Sequence, residues 1–301
     1  MEILRTPDER FASLPDFEFA PRYVDVPSGD GGTLRMAFVE AGPADGEVVL
    51  LLHGEPSWSF LYRKVIRVLA AAGLRAVAPD LVGFGRSDKP ASQDDYTYAA
   101  HMGWLHAFVD AAKLTSMNLV CQDWGGLLGL RLVGERPALF RRVVAANTGL
   151  PTGDQKLPPA FFAWQQFSQS VPELPVGGIV QRGCAQPFDE AVLAAYDAPF
   201  PEERYKAGAR KFPLLVPSSP DDPAAAANRA AWKGLAAFER PFLTAFSDQD
   251  PITSGGERFL QERIAGAKGQ AHVTIAGGGH FLQEDRGEEL GRVVAEFVQR
   301  T

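Results

Sequence analysis

The chain has 301 residues, 46% of them apolar and 22% charged, with a formal net charge of −7. That length suits one large domain, or a main domain carrying an insertion, and the composition excludes a disordered, collagen-like or disulfide-built chain. A mildly acidic sequence without basic runs is also a poor match for nucleic acid or an anionic membrane surface. The opening FEFAPRYVDV and LRMAFVEAG, joined by GDGG, predict a hairpin with a glycine turn. EVVLLLHG, residues 47–54, is a continuous apolar run and predicts a buried strand. Residues 57–72 read as a helix stopped at Gly73, and RAVAPDLVGFG as a strand running into a glycine-rich turn. A helix over 98–112 leads to the strand MNLVCQDWGG, whose sharp turn opens a helix that Pro137 ends. RRVVAANTG is the next strand.

The pattern changes near residue 150. From 151 to 228 prolines and scattered aromatics break helical fragments such as AFFAWQQFSQS and DEAVLAAYDA, and no strand is evident. The β/α alternation resumes with PFLTAFSDQD and AHVTIAGGGH. The final helix sets Leu290, Val293, Val294, Phe297 and Val298 on one apolar face for docking on a sheet. The expected architecture is a mostly parallel α/β sheet, residues 1–150 and 229–301, interrupted by a helical lid over 151–228. In such sheets the active groups sit on loops at the strands' carboxyl ends.

Four motifs fall there. In Cys121-Gln122-Asp123-Trp124-Gly125-Gly126 a strand meets a helix. Small residues two positions either side of Asp123 let it stand clear as the nucleophile of a strained elbow. The competing reading is a helix N-cap, which Asp also favours. In Gly277-Gly278-Gly279-His280-Phe281 the glycines let the chain turn tightly and offer His280 to the cleft, against the reading of a surface turn with an incidental His. Of the other histidines, His101 and His106 are badly spaced for a shared metal, His272 reads as outward-facing in a strand, and His53 reads as structural. In Phe246-Ser247-Asp248-Gln249-Asp250-Pro251, either aspartate could orient the imidazole. Asp250 is preferred because it lies farther past the strand end. In His53-Gly54-Glu55-Pro56, the Glu55 backbone N–H, with that of Trp124, makes an oxyanion hole. The chain order nucleophile, acid, His is that of α/β-hydrolases.

These residues resemble the haloalkane dehalogenases of the α/β-hydrolase superfamily over nearly the whole chain, in HGEPSWSFLYRK, VCQDWGG, FFAW, YDAPFPEERYKAGARKFP and GGGHF. The resemblance implies an α/β-hydrolase fold with an inserted helical cap, and hydrolysis of a haloalkane to alcohol, halide and a proton without metal or cofactor. A carboxylate is already charged at pH 7, so Asp123 would displace halide in one step and form an alkyl ester. His280, backed by Asp250, would then activate water. The indole N–H of Trp124 and, by resemblance, of Trp164 would hold the halide; packing within the lid is the plain alternative for Trp164. Phe161, Phe212, Pro213 and Val216 match substrate-pocket positions, as do Leu127 and Ile252, although Leu127 stands where some relatives have Phe. The plain reading of the lid residues Phe161, Phe162, Phe167, Phe188 and Phe212, with Pro213 and Val216, is a helical mini-core. Some subfamilies carry an Asn after HG and an acid at the end of RRVVAANTG; here those positions are Glu55 and Asn147, which favours Asp250 as the acid.

The nearest rival is an epoxide hydrolase with the same Asp–His–Asp machinery, for which Tyr196 and Tyr205 could act as lid proton donors. A dinucleotide oxidoreductase would need the third glycine after Gly83-Phe84-Gly85, where Asp88 stands. A binding protein without activity is the third. Cys121 and Cys184 cannot form a metal site alone and read as free thiols. The acidic opening segment does not resemble a signal peptide, and no apolar run nears the ~20 residues of a bilayer span. A cytoplasmic location is therefore the expectation, and, as nothing resembles a coiled coil or an interface stripe, a monomer is the default.

Overall fold

The computed structural model describes residues 1–301. Ten strands are formed: β1 (Ile3–Leu4), β2 (Pro21–Pro27), β3 (Thr33–Ala41), β4 (Val48–Leu52), β5 (Arg75–Pro79), β6 (Lys89–Pro90), β7 (Met117–Gln122), β8 (Phe140–Ala146), β9 (Phe242–Ser247) and β10 (Val273–Ile275). The helices are α1 (Arg63–Ala71), α2 (Tyr98–Ala111), α3 (Trp124–Glu135), α4 (Pro159–Ser170), α5 (Val176–Gly183), α6 (Glu190–Asp197), α7 (Ala207–Leu215), α8 (Ala225–Ala236), α9 (Gly256–Arg263) and α10 (Leu282–Arg300). Short β1 and β6 pair with each other. The other strands form one sheet in the order β10-β9-β8-β7-β4-β5-β3-β2. Only β3 runs against its neighbours; the β4, β5, β7, β8, β9 and β10 pairings are parallel. This is the α/β-hydrolase architecture, with helices flanking a mainly parallel sheet.

The strands read most easily from sequence are those with no exposed face. All six residues of β7 are buried, and β4 is buried apart from its first residue, as continuous apolar runs require in a sheet covered on both sides. The expected helix over 57–72 begins as a 3-10 turn at Ser59–Tyr62 before α1. In α10, Leu290, Val294, Phe297 and Val298 are buried, while Val293 is partly exposed.

Between residues 151 and 224 the chain forms α4 to α7 and no strand. The expected boundary at 228 lies inside α8. That helix packs so closely on α3 that a Cβ on Gly134 or Gly234 would strike the backbone of the other helix. Its Asn228 also donates to the Pro151 carbonyl and accepts from Arg131 of α3. Thus α8 packs on α3, which flanks the sheet, and the expected boundary falls within it. No helix is long and apolar enough to cross a membrane.

Candidate active site

Asp123 sits between the end of β7 and the start of α3 with φ 51° and ψ −125°. That is a strained conformation for a residue with a Cβ, and the packing around it leaves no alternative. A Cβ on Gly125 would run into the Leu52 carbonyl, and one on Gly126 into the Thr148 side chain, so the turn closes only with glycine at both positions. The Asp123 carbonyl is occupied on three sides, accepting from Gly126 N and Leu127 N at 2.8 and 3.0 Å and from Thr148 Oγ1 at 2.7 Å. The side chain makes no N-cap bond to α3. It stands clear, as the elbow reading predicts.

Its two oxygens have different neighbours. Oδ1 accepts the Glu55 backbone N–H at 2.7 Å. Oδ2 lies 3.5 Å from His280 Nε2. The N–H of Trp124 opens α3, where a helix has no carbonyl of its own to offer. Of the two backbone donors expected, the Glu55 N–H reaches Oδ1, and the Trp124 N–H lies at the start of α3.

His280 Nδ1 is 3.0 Å from Asp250 Oδ2. Asp250 also accepts from Ile252 N at 2.8 Å and from the Thr253 hydroxyl. Asp248 is exposed and accepts from Gly277 N instead, so of the two candidates Asp250 is the one that meets the imidazole. Burial works against a charge on His280, but Asp250 and Asp123 outweigh it and raise its pKa. Burial likewise opposes charge on Asp250, and the imidazolium beside it holds the carboxyl low. Asn147, at the alternative acid position, donates to Ser247 Oγ and to the carbonyls of Gly279 and His280; it anchors the loop that carries the histidine.

A cavity of about 760 Å³ opens over these groups. Glu55, Asp123, Trp124, Leu127, Phe161, Trp164, Pro213, Val216, Ile252 and His280 all line it. Trp58 and Trp232 donate their indole N–H groups to the Ala195 and Leu150 carbonyls. Those of Trp124 and Trp164 have no protein acceptor, and both rings face the cavity; Trp104, also without one, lies away from it.

Several residues are placed differently from expectation. Phe212 is fully buried and does not reach the cavity; it packs edge-on behind Trp124, ring centroids 4.3 Å apart, and also behind His101. His101 is a neutral member of this aromatic stack, its pKa lowered by burial to about 3. Phe162 is exposed rather than part of a mini-core, and Phe167 lines the cavity. The three-residue steps from Phe161 to Trp164 to Phe167 on α4 carried that signal. His272 turns inward just before β10, accepting from Thr244 N and facing the Ala267 carbonyl. His53 is fully buried, with Nε2 accepting from Leu81 N.

The side chain of Glu55 was not anticipated at all. It is buried on the cavity wall, and its Oε1 has no partner. Burial, then the charge of Asp123, pushes its pKa well above the usual carboxylate range, which favours the protonated form. Of the residues a rival reading needs, Tyr196 gives its hydroxyl to Glu284 at 2.6 Å, and neither Tyr196 nor Tyr205 reaches the cavity. The Gly83-Phe84-Gly85 turn wraps the Asp80 carboxylate, which accepts from Ser59 N and Arg86 N; it has a structural task.

The profile of the alpha/beta hydrolase fold family matches residues 47–287. The haloalkane dehalogenase of Psychrobacter cryohalolentis is 57% identical over 99% of this chain and 98% of its own. That of Mycolicibacterium paratuberculosis is 48% identical over 99% of both chains. Among solved structures, the tetrameric haloalkane dehalogenase of Paraglaciecola agarilytica superposes with a TM-score of 0.88 at 37% identity, covering 97% of each chain. With an Asp–His–Asp array beneath two free indoles and full-length likeness of this degree, the chain belongs to the haloalkane dehalogenases, hydrolases of the α/β-hydrolase fold that cleave carbon–halogen bonds.

Proposed function

We propose that Asp123 is the nucleophile, His280 the base and Asp250 its acid partner, and that Trp124 and Trp164 bind the halide. The observation that carries this reading is the asymmetry at Asp123. Oδ1 is already held by the Glu55 N–H, which leaves Oδ2 to attack. Oδ2 bonds to the carbon as the carbon–halogen bond breaks, and the electron pair leaves with the halide. Indole is a donor only, and its ring is apolar. Two such groups receive a halide without a fixed positive charge that would also trap carboxylates.

The product of this step is an ester of Asp123, and its formation changes His280. In the resting site the charge of Asp123 helps keep the ring protonated. Esterification cancels that charge and removes the acceptor at Nε2, so the pKa of the ring falls and it releases its proton to solvent, the proton that accompanies the halide in the overall reaction. The neutral imidazole then takes a proton from water, whose oxygen attacks the Asp123 carboxyl carbon. Negative charge builds on Oδ1, where the N–H groups of Glu55 and Trp124 await it; one such donor is worth ~10²–10³ in rate. Collapse expels the alkoxide, which takes the proton back from the imidazolium and leaves as the alcohol; the Asp123 carboxyl then gives the water's second proton to His280, which restores both the carboxylate and the protonated ring. Asp250 keeps Nε2 of the ring aimed at the water throughout.

Residues 151–224 act as the cap that supplies Trp164 and much of the apolar wall. Leu127, Phe161, Pro213, Val216 and Ile252 suit a haloalkane, whose only polar feature is its carbon–halogen bond. Every group named comes from one chain, so a single copy suffices for the chemistry.

The decisive variant is His280→Phe, mixed with 1-bromohexane. We expect one equivalent of bromide and a mass increase of one alkyl group on the peptide containing Asp123. Repeated turnover by this variant would overturn the two-step assignment. Opening of styrene oxide by the wild-type enzyme, with no bromide released from bromoalkanes, would favour epoxide chemistry.

A further inference from the structure

The loop that presents His280 is fixed from two sides. On the sheet side, Asn147 Nδ2, Gln122 Nε2 and Ser247 Oγ donate to the carbonyls of Gly279 and His280. On the other side stands a carboxylate, Asp285, in the first turn of α10. Its Oδ2 accepts from Gly279 N at 2.8 Å. The same oxygen accepts from Ala185 N at 2.8 Å, and Oδ1 accepts from Gln186 N at 3.1 Å. Asp285 therefore joins the catalytic loop to the segment that follows α5 in the insertion.

That segment is part of the substrate chamber. Gly183, Cys184 and Ala185 line the cavity together with Gly279, His280 and Phe281. The two stretches also touch directly: Phe281 N donates to the Gly183 carbonyl at 3.3 Å, and a Cβ on Gly279 would collide with that carbonyl. Among the anchors of the histidine loop, Asp285 is the one whose carboxylate is shared with the insertion. Charge-assisted bonds to backbone N–H groups are shorter and stronger than neutral ones, so this junction is stiff.

We propose that Asp285 is a positioning residue for ester hydrolysis, holding the His280 loop at a fixed place relative to the cavity wall formed by residues 183–185. It touches neither substrate nor reacting atom. Its effect passes through the imidazole, which alkylation does not need and water activation does. This rests on the roles proposed above for Asp123 and His280.

The test separates the two half-reactions by rapid-quench single turnovers with 1-bromohexane. Asp285→Ala removes all three acceptor contacts. Asp285→Asn keeps one oxygen, which can serve Gly279 and Ala185 together but leaves Gln186 unserved. In Asp285→Ala we expect the rate of the bromide burst to stay within twofold of wild type. Hydrolysis of the alkyl-enzyme should slow roughly ten- to hundredfold, the scale on which misplacing a reacting group acts, and the alkylated protein should accumulate. Asp285→Asn should fall between Ala and wild type, and it supplies the answer if the Ala variant does not fold. Equal slowing of both half-reactions, or unchanged hydrolysis in a variant with a lowered melting temperature, overturns the proposal and leaves Asp285 a structural tie. If wild-type enzyme releases no bromide at all, the assignment of function has failed instead.

Discussion

At the carboxyl edge of the sheet, backbone groups set the position of the reacting atoms. In the helical insertion, packed side chains set the position of the groups facing the same cavity. Asp123 is held by its strained turn, by a backbone N–H on Oδ1 and by three donors on its carbonyl. Trp164 has only the packing of α4, its ring 6.2 Å from that of Phe167. The contrast follows from the chemistry each region serves. An in-line displacement tolerates little misplacement of the nucleophile, whereas an apolar substrate can be gripped by an apolar wall of less exact geometry.

Glycine substitutions test this contrast most severely. Gly125→Ala places a methyl group against the Leu52 carbonyl of β4, backbone that cannot move without disturbing the sheet. We expect a loss of more than about 4 kcal/mol, or no folded protein, read by denaturant unfolding. The counterpart in the insertion is Gly178 in α5, where a Cβ would meet only Pro175 at 3.7 Å. Gly178→Ala should leave stability unchanged or raise it by up to about 1 kcal/mol, as helix propensity dictates. If both variants behaved alike, the difference in rigidity between the regions would vanish.

What was legible in the sequence divides along the same line. The sheet elements and their motifs could be read because a buried strand is a continuous apolar run, and an elbow or a glycine loop is local. Asp250 could be preferred to Asp248, but only the fold shows Asp248 on the Gly277 N–H and Asp250 under the imidazole. In the insertion, proline-broken helices leave each helix face undetermined until tertiary packing fixes it. Phe212 was therefore expected on the cavity wall and is found behind Trp124, while Phe167 is found on the wall. Asp285 had no signal at all, because its three backbone donors come from residues 6, 99 and 100 positions away in the chain.

The tryptophans sharpen the comparison at the level of single hydrogen bonds. Trp164→Phe keeps an aromatic ring and deletes an N–H that has no protein acceptor. We expect alkylation to slow by about 10²-fold, the typical worth of one donor to a developing anion, with weaker bromide binding measured by quenching of tryptophan fluorescence and little change in melting temperature. Trp232→Phe deletes an N–H bonded to the Leu150 carbonyl at 2.7 Å. It should cost about 1 kcal/mol of stability and leave alkylation alone. An undiminished bromide burst in Trp164→Phe would return that residue to a packing role.

The smallest expected effect concerns Glu55, where the two regions meet over the cavity. Its folded pKa is raised above the ordinary value of 4.5, by burial first and then by the charge of Asp123. Below that ordinary value the carboxyl is protonated both in the folded and in the unfolded chain and contributes no pH dependence. As pH rises through it, the unfolded chain releases its proton while the folded protein keeps it, so unfolding becomes easier with pH. Glu55→Gln has nothing to titrate. The stability of Glu55→Gln relative to wild type should therefore climb above pH 4.5, one proton allowing at most about 1.4 kcal/mol per pH unit. It should level off once the folded carboxyl itself ionises. The slope, not the absolute difference, carries the answer, because any cost of the amide in place of the acid is the same at every pH. Parallel curves for the two proteins would show that Glu55 ionises in the fold as it does in water, and the neutral acid beside Asp123 would have to be abandoned.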